Sequence, residues 1–202
     1  MNVFVKCFFW ALAVVGLLGP VFAHNSKDHA SPAPTAGSEA YKTSVKTYAV
    51  PDVMLVDSEA KPINLRELLA AKDPVMVNFI FTTCTAICPV MTKVFSDVPA
   101  KLGGQAKQLR MISISLDPER DTPRELKAYA KSFQAGERWK FLTGSTQDIK
   151  TVLLAFDSYR GDKMNHEPLT LMRQAPGKAW HRLDGFATPD ELVREYRKVL
   201  QQ

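Results

Sequence analysis

Val75-Met76-Val77-Asn78-Phe79-Ile80-Phe81-Thr82-Thr83-Cys84-Thr85-Ala86-Ile87-Cys88-Pro89 is the stretch on which the fold turns. Its first seven residues, introduced by Pro74, are apolar except for Asn78. A run this short and this apolar, bounded by turn-like residues, predicts a central strand buried on both faces. Beyond the second cysteine, Val90, Met91, Val94, Phe95 and Val98 recur at helical spacing, and Pro89 suits a first helical position. The predicted order is strand, cysteine loop, helix.

Working outward, the same alternation continues. Leu109 to Leu116 reads as a second strand, followed by Asp117-Pro118-Glu119-Arg120 and then Thr122-Pro123-Arg124-Glu125, which has the form of a capping box with proline at the first helical position. Leu126, Tyr129, Ala130 and Phe133 form the buried stripe of that helix. Lys140 to Leu142 is a short third strand, and Ile149, Val152, Leu153 and Phe156 mark a helix beginning near Ser145. Alternating strands and helices predict an α/β domain with a mainly parallel sheet and covering helices. Upstream, residues 48–65 give two extended pieces around Ser58-Glu59-Ala60-Lys61, an N-terminal hairpin. Downstream, Leu169 to Met172 and Ala179 to Leu183 flank Ala175-Pro176-Gly177-Lys178, a C-terminal hairpin, and Thr188-Pro189-Asp190-Glu191 caps a last helix.

The 202 residues are 46% hydrophobic and 23% charged, a balance that supports one well-buried core. Residues 1–23 read differently. Lys6, an apolar run from Cys7 to Leu18, the break Gly19-Pro20 and the small-residue pattern Val21-Phe22-Ala23 together predict a secretory signal peptide cleaved after Ala23. The run is shorter than the roughly 20 residues that span a bilayer, which disfavours the alternative of an uncleaved anchor in the inner membrane. Residues 24–45 read as a flexible linker, poor in large apolar side chains at its start, and residues 46–202 as the folded domain. His24 and His29 in that linker are incidental in the plain reading, although His24 at a new amino terminus would be a chelating arrangement. A net charge of +5 without a basic block or interleaved aromatics argues against a nucleic-acid partner.

Export, to the periplasm or an equivalent compartment, permits disulfides. Of three cysteines, Cys7 belongs to the signal, so the domain carries one pair, Cys84 and Cys88. A thiolate is the reactive and metal-binding form, and a helix N-terminus favours it, which points to Cys88 as the cysteine eased toward ionisation. Three intervening residues let the two thiols converge on one side, to close a disulfide or to chelate. Two soft thiolates select Cu(I) or zinc, and one imidazole would complete a three-coordinate set suited to Cu(I). An inert loop-stapling disulfide remains compatible with the spacing. His166, in the polar stretch after Gly161-Asp162-Lys163-Met164-Asn165, is the candidate third ligand, equally readable as an idle loop histidine. His181, in a hairpin strand, reads as a surface or half-buried side chain.

Three strings then carry a resemblance: residues 81–89, Phe-Thr-Thr-Cys-Thr-Ala-Ile-Cys-Pro; residues 115–123, Ser-Leu-Asp-Pro-Glu-Arg-Asp-Thr-Pro; and residues 139–144, Trp-Lys-Phe-Leu-Thr-Gly. In this order they resemble the Sco (SenC) family of cytochrome oxidase assembly proteins, from about Val50 to the last helix. The resemblance implies a thioredoxin-like fold with a central mixed sheet flanked by helices, and copper, as Cu(I) and in some cases Cu(II), bound by Cys84, Cys88 and His166. It implies a copper-receiving partner such as cytochrome c oxidase subunit II, an upstream copper donor or thiol reductant, and a place in copper-site assembly. A copper metallochaperone is the first reading and a thiol-disulfide oxidoreductase using the redox-active pair Cys84 and Cys88 the second. A thioredoxin-like interaction domain with a structural disulfide is the third, and a peroxidase lacks its motif.

Two departures from the family pattern matter. Thr85-Ala86-Ile87 replaces the usual Pro-Asp-x between the cysteines, which removes a carboxylate from the loop and any electrostatic role it would play in docking. Asn165-His166-Glu167-Pro168 replaces the usual Asp-His before the strand. Thioredoxin-like oxidoreductases carry a cis proline ahead of the strand facing their cysteines, and Glu167-Pro168 occupies that place, although trans is the commoner state of such a bond.

Overall fold

The computed structural model describes residues 40–202. The predicted signal peptide, Cys7, His24, His29 and most of the predicted linker lie outside the described residues. Among the described residues no helix is long and apolar enough to cross a membrane.

The decisive stretch forms β4 (Val75–Ile80), with every residue buried. Its side chains alternate between two cores. Met76 and Ile80 pack with Phe95, Phe141 and Tyr196, while Val75, Val77 and Phe79 pack with Ile112, Leu142 and Phe156. A strand with apolar side chains on both faces needs a covering layer on each. The helices α2 (Ile87–Leu102) and α5 (Pro189–Val199) bury Phe95, Val98, Leu192 and Tyr196 in the first core. The second holds Ile149, Val152 and Leu153 of α4 (Thr146–Ala155) and Leu65 and Leu69 of the short α1 (Leu65–Leu69). The one polar residue of β4, Asn78, sits on the first face and accepts from Ser113 Oγ at 2.6 Å. Ser113 Oγ in turn accepts from Trp139 Nε1 at 2.9 Å, so the buried hydroxyl and indole are both satisfied.

Among the described residues the sheet has eight strands in the order β1-β8-β7-β4-β5-β6-β2-β3. Here β1 is Tyr41–Lys46, β2 Met54–Asp57 and β3 Pro62–Asn64. β5 is Arg110–Ser115, β6 Trp139–Thr143, β7 Leu169–Arg173 and β8 Trp180–Gly185. Only β4, β5 and β6 are parallel neighbours. The sheet is mixed, as the family resemblance implies, and not mainly parallel as the alternation alone predicts, because both predicted hairpins add antiparallel strands to the parallel trio.

β1 is a second correction. It pairs antiparallel with β8, Tyr41 opposite Gly185, inside the stretch read as linker. Its sequence, Tyr-Lys-Thr-Ser-Val-Lys, hides the strand because it is an edge whose Lys and Val45 side chains face solvent, with Tyr41 as the only fully buried residue. Tyr41 is fixed by a buried bond from its hydroxyl to Glu195 Oε1 at 3.1 Å. Glu195 also accepts from His181 Nε2 at 3.0 Å, so His181 is a buried partner of α5 rather than a surface residue.

The helix starts are largely as read. Thr188 caps α5 with both halves of the capping box present. Thr122 caps α3 (Pro123–Ser132), but Glu125 turns to Arg124 instead of reaching back, so only half a box forms. Loss of the complete box in Thr188→Ala is expected to lower stability by about 1 kcal/mol, read as a shift in the urea midpoint at constant slope. In α2 the first residue is Ile87, so Pro89 is third rather than first, and Val90 is exposed rather than core. Among the described residues every peptide bond, Glu167-Pro168 included, is trans.

Candidate thiol and metal site

The chain leaves β4 at Phe81 and turns through Thr82-Thr83-Cys84 into α2. The residue preceding the helix, Ala86, has no side-chain oxygen and makes no capping bond. The first N–H groups of a helix lack intrahelical partners. Here the Cys88 N–H points to Cys84 Sγ at 3.4 Å, so the cysteine sulfur stands where a capping oxygen would. Both cysteines are free thiols, Cys84 partly exposed and Cys88 fully buried.

This arrangement reverses the expected roles. Burial alone would push the Cys84 thiol up, but the N–H groups of Cys88, Ala86 and Ile87 outweigh it and hold it below the ordinary thiol value. Burial pushes the Cys88 thiol up to about 12, with further increments from Cys84 and Asp121, against an opposing backbone contact from Phe81. Cys84, not Cys88, is therefore the cysteine eased toward the thiolate. The helix start does lower a thiol as expected, but the one it serves precedes the helix, while the one inside it is sealed in the core with Ile80, Phe81 and Phe95.

His166 lies just ahead of β7, where the chain runs back alongside the end of β4. It is buried, not an exposed loop residue, and its Nε2 meets the Phe79 carbonyl at 3.1 Å. Burial holds its imidazole down to about 4, opposed by that carbonyl. The ring is thus neutral at physiological pH. A carbonyl can only accept, so Nε2 carries the hydrogen and Nδ1 keeps the lone pair. Donation of the second ring N–H to a backbone carbonyl is the usual way a metal-ligating histidine is oriented. The donor types fit copper: an accessible thiol biased toward thiolate, a second thiol one helical turn on, and a neutral imidazole. Among the described residues, however, no three His, Cys, Asp or Glu side chains are already drawn together at metal-binding separation.

Beneath the cysteine loop lies a polar frame that the sequence reading left as a turn. Asp121, fully buried, accepts from Thr82 N at 3.1 Å and Thr82 Oγ1 at 2.6 Å. Its other oxygen accepts from Ser115 Oγ at 2.6 Å. Ser115 Oγ accepts in turn from the Asp117 N–H at 2.9 Å. The available signal was the string Ser115 to Asp121 itself, whose polar residues at a strand end need partners once the strand is buried.

With this geometry in view, residues 43–201 match the family model described as SCO1/SenC. The chain belongs to the SCO1/SenC family. Among its relatives is the SCO1 protein homolog of Bacillus subtilis, 36% identical over 101 residues, which are 50% of this chain and 51% of that protein. The chain thus spans about half the length of that relative. Two solved Sco structures share the fold. One is Bradyrhizobium japonicum ScoI with copper bound, 26% identical, with a TM-score of 0.62, covering 75% of this chain and 99% of that one. The other is BsSco, a member of the Sco family of cytochrome c oxidase assembly proteins in which a disulfide switch was identified. It is 29% identical, with a TM-score of 0.63, covering 75% of this chain and 93% of that one. The SCO1/SenC assignment, the thioredoxin-like class of fold and the family's link to copper and to thiol redox chemistry agree with the expectations drawn from the three sequence strings.

Proposed function

We propose that this chain is an exported copper metallochaperone that holds copper as cargo between Cys84, Cys88 and His166 and passes it to the copper site of an acceptor such as cytochrome c oxidase subunit II. The observation that carries the reading is the helix start that presents Cys84: its sulfur is offered N–H donors, its pair Cys88 is a free thiol one turn on, and a neutral imidazole lies on the adjoining strand lead. Copper bound to the Bradyrhizobium japonicum relative supports the choice of metal.

In this reading the protein supplies one thiol biased toward the thiolate, a second that ionises on binding and a neutral imidazole, and the metal leaves by exchange of thiolates with the acceptor. Burial of Cys88 means that its proton departs only as the metal arrives, which couples loading to proton release. His166 brings no charge and no proton to displace, since its ring is neutral and its lone pair is on Nδ1.

The test is a Cu(I) titration of the reduced domain, from His24 onward, against a competing chelator. The expected result is one tightly held Cu(I), with His166→Ala weakening it roughly 10–100-fold and either Cys→Ser abolishing stoichiometric uptake. No uptake by the wild type sinks the reading.

A second reading is favoured by one specific observation, the contrast between Cys84 and Cys88. An attacking thiol with a low pKa and a buried resolving thiol are the parts of a thiol-disulfide oxidoreductase. It is distinguished by His166→Ala, which leaves reduction of a partner disulfide intact while Cys84→Ser abolishes it.

A further inference from the structure

The segment that bears His166 is tied to the frame of the cysteine loop by an ion pair outside the donor set. Lys163, in the 3-10 turn Lys163–Asn165, donates to Asp117 Oδ2. Asp117 is buried, with its side chain 7% exposed. The same ammonium lies 5.7 Å from the centre of the Phe81 ring, the residue on which the cysteine loop begins. Asp162 caps the turn by accepting from the Met164 N–H at 2.8 Å, and the His166 N–H donates to Lys163 O at 3.1 Å, so a short, bonded run joins Lys163 to His166.

The far end of the pair is equally fixed. The Asp117 N–H is held by Ser115 Oγ, which donates to Asp121, which receives both donors of Thr82. A continuous chain of polar contacts therefore runs from Thr82, two residues before Cys84, to Lys163, three residues before His166. One side chain, Lys163, joins the two halves of the site at the point where the histidine segment meets β5 and the end of β4.

We infer that Lys163, through Asp117, is the positioning residue for the His166 segment: it ties that segment to the frame beneath the cysteine loop, so that a local movement, not the ordering of a free loop, brings the imidazole to the thiols. The inference rests on the metal-site reading proposed above. Lys163 does not touch the metal and takes no part in thiol chemistry. Its contribution is to limit the freedom of the His166 segment, since a tethered segment loses less freedom when its imidazole is drawn in. The pair is partly exposed at the lysine, with a side chain 35% exposed, which keeps the effect modest.

The experiment compares the reduced full-length domain with Lys163→Met, Lys163→Arg, Asp117→Asn, His166→Ala and the Lys163→Met/His166→Ala double variant. Three readouts are taken: Cu(I) affinity by chelator competition, amide hydrogen exchange of residues 163–166 in the metal-free protein, and the rate of disulfide reduction by Cys84. Lys163→Met and Asp117→Asn are expected to weaken Cu(I) roughly three- to tenfold and to speed exchange at residues 163–166, with the disulfide rate unchanged. Lys163→Arg, which keeps the charge and reach, restores affinity to within about twofold. In the double variant the lysine change adds nothing further, because there is no imidazole left to place.

If His166→Ala loses affinity while Lys163→Met does not, the inference is overturned and the metal site stands. If His166→Ala binds as the wild type does, the three-ligand reading itself fails, and unchanged exchange at residues 163–166 in Lys163→Met then overturns the positioning role as well. A Lys163→Met variant that loses disulfide reduction as strongly as copper binding also overturns it, because the pair would then act on the fold of the whole site.

Discussion

In the reduced, metal-free protein at pH 8, iodoacetamide is expected to modify Cys84 roughly a hundred times faster than Cys88, and the rate at Cys84 to level off at a lower pH than for an ordinary thiol. Two effects oppose each other. Cys88, pushed up to about 12, lies far above Cys84, which is held below the ordinary thiol value, so its thiolate fraction at pH 8 is smaller by on the order of a thousandfold. A more basic thiolate is a better nucleophile, which recovers about 10–30-fold over that interval. Burial then decides the outcome, because Cys88 has no exposed surface whereas Cys84 is partly exposed. The rate follows the thiolate of Cys84, so it rises as pH rises and flattens above its pKa, while Cys84→Ser leaves only a slow reaction without that plateau. Peptide mapping after brief labelling reads both residues at once. Equal labelling, or a Cys84 midpoint at or above that of an ordinary thiol, sinks the assignment of Cys84 as the attacking thiol and of Cys88 as the second, resolving one.

That assignment shows where sequence reading stopped. Spacing put both cysteines at a strand-to-helix junction, and the junction is there. Which sulfur receives the helix N–H groups depends on where the first turn starts, and element ends are the least determined feature of a periodic pattern. The helix begins at Ile87, two residues earlier than Pro89 suggested, and that shift moves Cys88 from a cap position into the first turn, facing the core. β4, β5 and β6 were legible because each buries a run of apolar side chains, and the terminal hairpins because their turns are rich in polar residues, Pro and Gly. β1 was not, since an edge strand with one buried side chain carries almost no periodic signal. His181 was misplaced for a related reason: its partner Glu195 comes from a helix whose acidic residues otherwise face solvent, and nothing local announces a buried carboxylate. His166 stood as a candidate on its polar loop alone, no better than an idle histidine until the family resemblance favoured it, and the structure adds what spacing lacks, a neutral ring fixed by the Phe79 carbonyl.

Asp121→Ala is expected to destabilise the domain by about 3 kcal/mol, the largest loss from any single change in the polar frame, and Asp121→Asn by about a third of that. The alanine leaves three donors, Thr82 N–H, Thr82 Oγ1–H and Ser115 Oγ–H, facing a cavity where a fully buried carboxyl group had accepted all of them. Each buried donor left without a partner costs on the order of 1 kcal/mol or more. Asparagine keeps one carbonyl oxygen for Thr82, and the Ser115 hydroxyl can accept from its amide, which is why most of the stability returns. Urea unfolding followed by the fluorescence of the buried Trp139 and Trp180 measures the difference. Because Thr82 is the last residue fixed before the cysteine loop, the same substitution should also narrow the hundredfold labelling ratio between Cys84 and Cys88: a loop no longer anchored at Thr82 lets the helix start fray, Cys84 loses its N–H donors and Cys88 gains solvent. An Asp121→Ala protein that unfolds within about 1 kcal/mol of the wild type and keeps the labelling ratio would mean that the backbone of β4 and α2, rather than this buried carboxyl, sets the geometry of the thiols.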